Sequence, residues 1–139
     1  YVFSIGMLMS YDYYPMAAVM AGGMIPPFVI ALTATLFKDR FEVRKDALMN
    51  YINGISFISE GAIPFIQKES QIILPACCLS AGLAGALSMY FNCSIASPHG
   101  GLFLIWMVQN PISYLSLIVC STLVGTILLI LFTKLKKES

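Results

Sequence analysis

Charged side chains are scarce in this sequence. They make up 11% of its 139 residues, whereas 58% are hydrophobic and the mean hydropathy is +0.82. A soluble domain of this size cannot hide so much apolar side chain, because small domains bury only about two-thirds of the surface that their unfolded chains expose. The lipid bilayer is the natural solvent for the remainder. A net charge of +1 also leaves no basic field that could hold nucleic acid.

Motifs for metal or redox chemistry are also lacking. The four cysteines lie in apolar runs without C-x-x-C spacing, so we expect all of them to be small buried hydrophobes (Cys77, Cys78, Cys93 and Cys120). His99 is the only histidine, which leaves too few ligands for a metal site, and we expect neither a metal nor another cofactor. Residues 1–9 lack the basic stretch and the cleavage site of a signal peptide. Because the chain does not begin with Met, we expect it to be a fragment.

Long apolar runs predict an all-α integral membrane protein. Three runs are long enough to cross a bilayer, at 16–37, 72–91 and 111–132. Residues 1–11 resemble the end of a further helix.

Two of these spans carry residues that affect helix geometry and packing. Gly22-Gly23 and Pro26-Pro27 predict a break or kink in the middle of the first span. Small residues let membrane helices approach closely, and the second span has five of them in six positions: Ala81, Gly82, Ala84, Gly85 and Ala86.

Two further apolar segments, 47–67 and 92–108, are interrupted by polar residues, glycine and proline. The interruptions are Asn50, Asn53, Gly54, Ser56, Ser59, Glu60, Gly61 and Pro64 in the first segment, and Ser94, Ser97, Pro98, His99, Gly100 and Gly101 in the second. Irregular backbone is tolerated at membrane depth only where it faces protein or a wet cavity. We therefore predict two re-entrant helical hairpins, the first with its tip near Glu60-Gly61.

The positive charges constrain the topology of these two segments. The positive-inside rule places the charge cluster 38–46 and the lysines within 134–137 on the cytoplasmic side. The chain between them must then cross the membrane an even number of times. The number is even if both interrupted segments are re-entrant or if both cross, and odd if only one crosses. The two segments therefore share one topology.

Glu60 and His99 are the residues most suited to chemistry. Glu60 is the only acidic residue deep inside an apolar segment. A carboxylate at mid-membrane costs about 2.5–3.5 kcal/mol, so such residues usually line a cavity and act there. The alternative is a place in a cytoplasmic loop. His99 is either a polar turn residue or a partner of Glu60 across a central cavity, as in many transporters.

Three stretches of the sequence resemble the fructose-family IIC membrane domain of the bacterial phosphotransferase system. Residues 20–35, which contain MAGGMIPP and ALTAT, resemble its MAAGMVPPLGxALAT run. Residues 54–65 (GISFISEGAIPF) resemble its GLSFITEGAIPFA signature. Residues 86–89 (ALSM) and 97–103 (SPHGGLF) resemble GALSM…APHGGIF. The motifs occur in the family's order and cover essentially the whole chain.

The sequence departs mildly from the family pattern. Ser59 replaces a Thr, Phe28-Val29 replaces Leu-Gly, and Ser97 replaces an Ala. The family's DxGGPxNKAA motif, its N-terminal spans, its phosphocysteine B domain and its phosphohistidine A domain are absent from these 139 residues. By this resemblance, the fragment alone is not expected to transport or phosphorylate a sugar.

The resemblance implies a permease that phosphorylates its sugar during transport. Fructose, or a related hexose or hexitol, would bind between the two hairpins. A IIB domain carrying phosphocysteine would dock near 38–46 and transfer the phosphoryl group. Glu60 would bind the reacting hydroxyl and take its proton, and His99 would bind another hydroxyl. Four neighbours complete the implied sugar site: Ser59, Gly61, Pro64 and Gly100.

The resemblance also implies a multi-pass protein of the bacterial inner membrane, in contact with lipid, that forms a homodimer through upstream helices. The residues alone leave other function classes open. An ion-coupled secondary sugar transporter also uses re-entrant hairpins and a buried acid, but it releases its solute unmodified. A channel or a non-enzymatic scaffold is the third reading, against which a functional Glu60 argues.

Overall fold

The computed structural model describes residues 2–10, 12–37, 44–97 and 100–138, and all regular structure within these ranges is helical. The α-helices are α1 (Val2–Met9), α2 (Tyr14–Leu36), α3 (Arg44–Ile55), α4 (Ile63–Lys68), α5 (Ser70–Tyr90) and α6 (Pro111–Glu138), with 3₁₀ helices at Ser59–Ala62 and Gly101–Met107. Three helices are long and apolar enough to cross a membrane: α2, α5 and the part of α6 from Pro111 to Lys136. The predicted all-α membrane fold is confirmed.

α2 is the central helix, and it contacts α1, α3, α5 and α6. Its buried residues extend from Met16 to Ala34. A helix that is apolar all round has no preferred outer face, so it is stable where other helices surround it.

Small residues bring α2 and α5 together in antiparallel fashion. A Cβ at Gly22 would lie 3.2 Å from the carbonyl oxygen of Ala81, and one at Gly85 would lie 3.6 Å from that of Ala18. Ala18 faces Gly85 and Gly22 faces Ala81, so residue numbers increase along α2 while those of the facing residues on α5 decrease, as in an antiparallel pair. The expected close packing is confirmed at Ala81 and Gly85, whereas Gly82 faces open space.

α6 joins this pair through a three-helix contact at Gly125. A Cβ there would lie 2.5 Å from Cγ2 of Val29 on α2 and 2.7 Å from Oγ of Ser80 on α5. The side chain of Asn110 donates hydrogen bonds to the carbonyls of Phe91 and Asn92, at 3.1 and 3.3 Å. α6 therefore begins at the end of the bundle where α5 stops.

Two expectations from the sequence are wrong. α2 is a continuous helix through Pro26 and Pro27, so the expected break is wrong, whereas the alternative, a kink, stays a prediction. The prolines cannot donate to the carbonyls of Gly22 and Gly23, but packing against four neighbouring helices holds α2 in shape. Only two of the four cysteines are buried, because Cys78 and Cys120 lie on exposed faces of α5 and α6 (Cys77 and Cys93 are the buried pair).

The contact at Gly125 predicts an asymmetry between two glycines. Gly125→Ala should destabilise the protein by about 1–3 kcal/mol, because the new methyl overpacks the α2–α5–α6 contact. Gly82→Ala is the matched control, because it lies in open space and Ala is the better helix former by about 1 kcal/mol. Apparent melting temperatures of the purified variants in detergent measure both effects. Equal melting temperatures would contradict the close packing at Gly125.

Candidate functional site

The first interrupted segment begins where α3 ends in a left-handed turn. The amide of Ile58 donates to the carbonyl of Asn53 at 2.7 Å, and the amide of Phe57 donates to that of Gly54 at 3.2 Å. This pair of bonds is the Schellman pattern, which places one residue in the left-handed region. That residue is Phe57, with φ of 60°, although glycine is the usual choice because a side chain there costs about 1–2 kcal/mol.

Two phenylalanine–glycine contacts hold this turn against the middle of α2. A Cβ on Gly23 would lie 2.5 Å from the ring of Phe57, and one on Gly54 would lie 2.8 Å from the ring of Phe28. Each ring occupies the space that the missing side chain of the facing glycine leaves. The contacts fix the unusual backbone of Phe57, and they place the turn at mid-height of the bundle.

The second interrupted segment begins with the same device at the end of α5. The amides of Cys93 and Asn92 donate to the carbonyls of Ser88 and Met89, at 2.9 and 3.1 Å. Asn92 takes the left-handed position, with φ of 51°, and Asn tolerates this conformation better than most residues.

The second segment is not a helix–turn–helix in the residues described. Its first arm, from Cys93 to Ser97, has no helical assignment, and its second arm is the 3₁₀ helix Gly101–Met107. The start of the first arm and the end of the second lie side by side, because the amide of Gln109 donates to the carbonyl of Ser94 at 3.1 Å. The segment thus leaves the bundle end and returns to the same end.

The two segments approach from opposite ends of α2. Arg44, at the start of α3, donates from Nε to the carbonyl of Ala34 near the end of α2. In the second segment, the amide of Ile95 donates to the carbonyl of Tyr13, just before α2 begins. Because α2 and α5 are antiparallel, the first segment also starts and finishes at one end of the bundle.

The two segments meet where Gly101 approaches the turn at Ile55–Phe57, and the backbone on each side of this contact is called a tip from here on. A Cβ on this residue would clash with the carbonyl oxygen of Ile55 and lie 2.8 Å from the amide nitrogen of Phe57. Gly101 also has a positive φ of 55°, so glycine is required both by its backbone conformation and by its proximity to the other tip. Two broken elements that meet at mid-height are the arrangement from which many transporters build their binding site.

The predicted site residues that the structure describes lie within the two interrupted segments. Glu60 and Ser59 lie in the first 3₁₀ helix, where Glu60 is exposed and Ser59 half-buried. Gly61 is half-buried in the same turn, and Pro64 is exposed in the first turn of α4. Gly100 is half-buried beside the contact residue Gly101, with φ of 115°.

Two predicted functional positions lie outside the described residues. One is His99, whose proposed approach to Glu60 stays a prediction. The other is the greater part of the charge cluster at 38–46, of which the structure describes Arg44, Lys45 and Asp46.

Asn50 and Asn53 pack against the turn that carries Glu60, although sequence reasoning did not select them as site residues. Asn50 is fully buried, and its Oδ1 accepts a hydrogen bond from Nδ2 of Asn53 at 3.2 Å. Both amides lie against Gly61, where a Cβ would clash with Asn53 and lie 2.5 Å from Oδ1 of Asn50. Two amides spaced i, i+3 in an apolar helix share one face, and that spacing was the signal that could have found them.

A cavity of about 320 Å³ lies elsewhere, between α2, α3, α6 and the second 3₁₀ helix. No predicted site residue lines it, and its surface is apolar. Among its lining residues, Tyr51 and Thr122 carry the hydroxyl groups, and the Tyr51 hydroxyl is already paired with Oγ1 of Thr35 at 2.9 Å. The lining residues are Phe28, Leu32, Tyr51, Leu102, Leu115, Ile118, Val119, Thr122 and Leu123.

The chain is similar to curated proteins named for fructose transport. It is 42% identical over 128 residues to a protein of Vibrio cholerae named "PTS system fructose-specific EIIB'BC component", covering 91% of this chain and 22% of that protein. It is 36% identical over 140 residues to the "Fructose permease IIC component" of Bacillus amyloliquefaciens, covering 99% and 46%. It is 32% identical over 130 residues to the "PTS system fructose-specific EIIC component" of Haloferax volcanii, covering 92% and 35%.

The chain thus spans between about a fifth and just under half of the length of these relatives. No protein-family profile and no solved structure matches it.

The contact between the tips predicts that Gly101 cannot be replaced even by a residue that tolerates positive φ. Gly101→Ala and Gly101→Asn should both destabilise the protein by about 1–3 kcal/mol, because either Cβ meets the Ile55–Phe57 backbone. Asn92→Gly is the control, since glycine adopts the left-handed conformation freely. Melting temperatures in detergent compare the three. A stable Gly101→Asn variant would show that backbone conformation alone requires the glycine.

Proposed function

Because this chain belongs to the fructose-specific EIIC family of the phosphotransferase system, we propose that it forms part of the membrane domain of a sugar permease. The observation that carries this proposal is the meeting of two interrupted segments, from opposite ends of the bundle, at Gly101 and the Ile55–Phe57 backbone. Both segments return to the bundle end that they leave, which supports the re-entrant topology.

The substrate in this proposal is fructose or a related hexose or hexitol. Fructose appears in the names of the relatives. The sugar binds beside the junction, where Glu60 and Ser59 present hydrogen-bonding groups and Gly61, Pro64 and Gly100 shape the backbone. Glu60 is exposed in this chain, so the remainder of the permease covers the site when the sugar is sealed from water.

In the chemical step of this proposal, a phosphoryl group passes from the phosphocysteine of a IIB domain to a sugar hydroxyl. The sulfur–phosphorus bond breaks, an oxygen–phosphorus bond forms, and the hydroxyl proton moves to Glu60. Because IIB appears in the names of several relatives, we place this partner on the cytoplasmic side near 38–46. His99 binds a second hydroxyl of the sugar.

The whole permease, rather than this chain alone, is the active unit in this proposal. It is an enzyme that couples phosphorylation to transport, in the inner membrane of a bacterial cell, and it forms a dimer through helices that this chain does not contain. An ion-coupled carrier that leaves its sugar unmodified is less favoured, because the relatives are named for the phosphotransferase system.

The proposal predicts that Glu60→Gln in the full-length permease abolishes sugar phosphorylation more than sugar binding. General-base catalysis contributes about 10²–10⁴-fold in rate, and Gln keeps the shape of the side chain without its basicity. The measurement is the rate of phosphorylation in membrane vesicles with phosphorylated IIB, alongside equilibrium binding of labelled fructose.

Asp12→Asn is the matched control for this experiment. It removes a carboxylate elsewhere while keeping the Oδ1 that accepts from the amide of Tyr14, and it should leave both measurements unchanged. A wild-type phosphorylation rate in Glu60→Gln would exclude the general-base role, and a loss of binding alone would make Glu60 a sugar ligand.

The proposal also predicts the chemical form of the transported sugar. Vesicles that contain the full-length permease should accumulate phosphorylated fructose only when phosphorylated IIB is supplied. Free fructose accumulated under an ion gradient without IIB would contradict the proposal and favour the secondary transporter.

A further inference from the structure

We infer that Asn50 and Asn53 are positioning residues that fix the turn carrying Glu60. This inference rests on the proposed function, because it assigns to two residues outside the sugar site the task of orienting the carboxylate within it.

A continuous set of contacts leads from the α3 backbone to the neighbour of Glu60. Nδ2 of Asn50 donates to the carbonyl of Asp46 at 3.3 Å, and Oδ1 of Asn50 accepts from Nδ2 of Asn53 at 3.2 Å. The Asn53 amide then lies against Gly61, which has no side chain to separate them. The position of Gly61 therefore depends on Asn53, that of the Asn53 side chain on Asn50, and that of the Asn50 side chain on the backbone of α3.

Asn53 holds both ends of the turn. Its carbonyl accepts the amide of Ile58 at 2.7 Å, where the turn begins. Its side-chain amide meets Gly61, directly after Glu60. The amide of Gly61 in turn donates to the carbonyl of Ile58 at 3.5 Å. The backbone that carries Glu60 is thus held between two parts of one residue.

The burial of Asn50 argues against an incidental role. Asn50 is fully buried on the α2-facing side of α3, beside the buried residues Ala47 and Gly54. A polar side chain at membrane depth is costly unless it is paired, and such residues are usually retained for a task. Helix packing alone would be served equally well at this position by a small apolar residue, as at Ala47.

The turn matters because Glu60 is not fixed by burial. Its side chain is exposed, so its direction depends on the backbone beneath it. Misplacement of a reacting group by about 1 Å can cost about 100-fold in rate. Two hydrogen bonds and one packing contact that lead back to a regular helix are a way to keep the backbone under an exposed carboxylate in one place.

The test is a double-mutant cycle in the full-length permease, with phosphorylated IIB as the donor and fructose as the substrate. Asn53→Ala should lower kcat by about 10- to 100-fold with a smaller effect on fructose binding. In a Glu60→Gln background, Asn53→Ala should lower the rate no further, because the group that it positions is already gone. Asn110→Ala is the matched control, since it also removes an amide that bonds backbone carbonyls, and its effect should be the same in both backgrounds.

A stability cycle tests the contact without any assay of activity. Gly61→Ala should lower the melting temperature, because its methyl clashes with the Asn53 amide. Adding Asn53→Ala should restore part of that loss.

The outcomes separate the two proposals. Effects of Asn53→Ala and Glu60→Gln that multiply independently in an active permease overturn the positioning role alone. A wild-type permease that leaves fructose unmodified overturns the proposed function, and the stability cycle then still decides whether Asn53 holds Gly61. A loss of melting temperature on Gly61→Ala that is the same in the wild-type and the Asn53→Ala backgrounds overturns the contact.

Discussion

The close approach of Gly101 to the Ile55–Phe57 backbone is the contact on which the architecture of the candidate site depends. It joins two irregular segments that share no secondary structure and approach from opposite ends of α2. Main-chain contact of this kind leaves no space for a side chain, so it requires glycine on one side. The Phe57–Gly23 and Phe28–Gly54 contacts then fix the height of the junction on α2.

Much of the fold was predictable because the thickness of the bilayer sets the length of the apolar run that a spanning helix needs. The runs at 16–37, 72–91 and 111–132 correspond to the three helices that are long and apolar enough to cross a bilayer. The expected tip near Glu60-Gly61 stays a prediction, because the backbone that meets Gly101 is the turn at Ile55–Phe57. The family motifs supplied the function class, which hydropathy cannot give.

The sequence could not predict features that depend on tertiary packing. The continuity of α2 through Pro26-Pro27 depends on its neighbours, and the local signal pointed the other way. The left-handed position in this turn is taken by Phe57 and not by the usual glycine or asparagine, and the contact of its ring with Gly23 is what explains this conformation. Asn50 and Asn53 looked like polar interruptions, because their link to Gly61 spans a turn whose shape was unknown. Candidate residues were therefore easier to predict than the residues that hold them.

The attachment of both segments to α2 limits how this protein can move. Gly23 and Phe28 of α2 pack against the first tip. The carbonyl of Ala34, near the end of α2, accepts a hydrogen bond from Arg44 at the start of α3. The carbonyl of Tyr13, just before α2, accepts one from Ile95 of the second segment. Movement of one tip without α2 would break these contacts. Within the residues that the structure describes, α2 and the two irregular segments are therefore one packed unit, and α5 and α6 pack against α2 in turn.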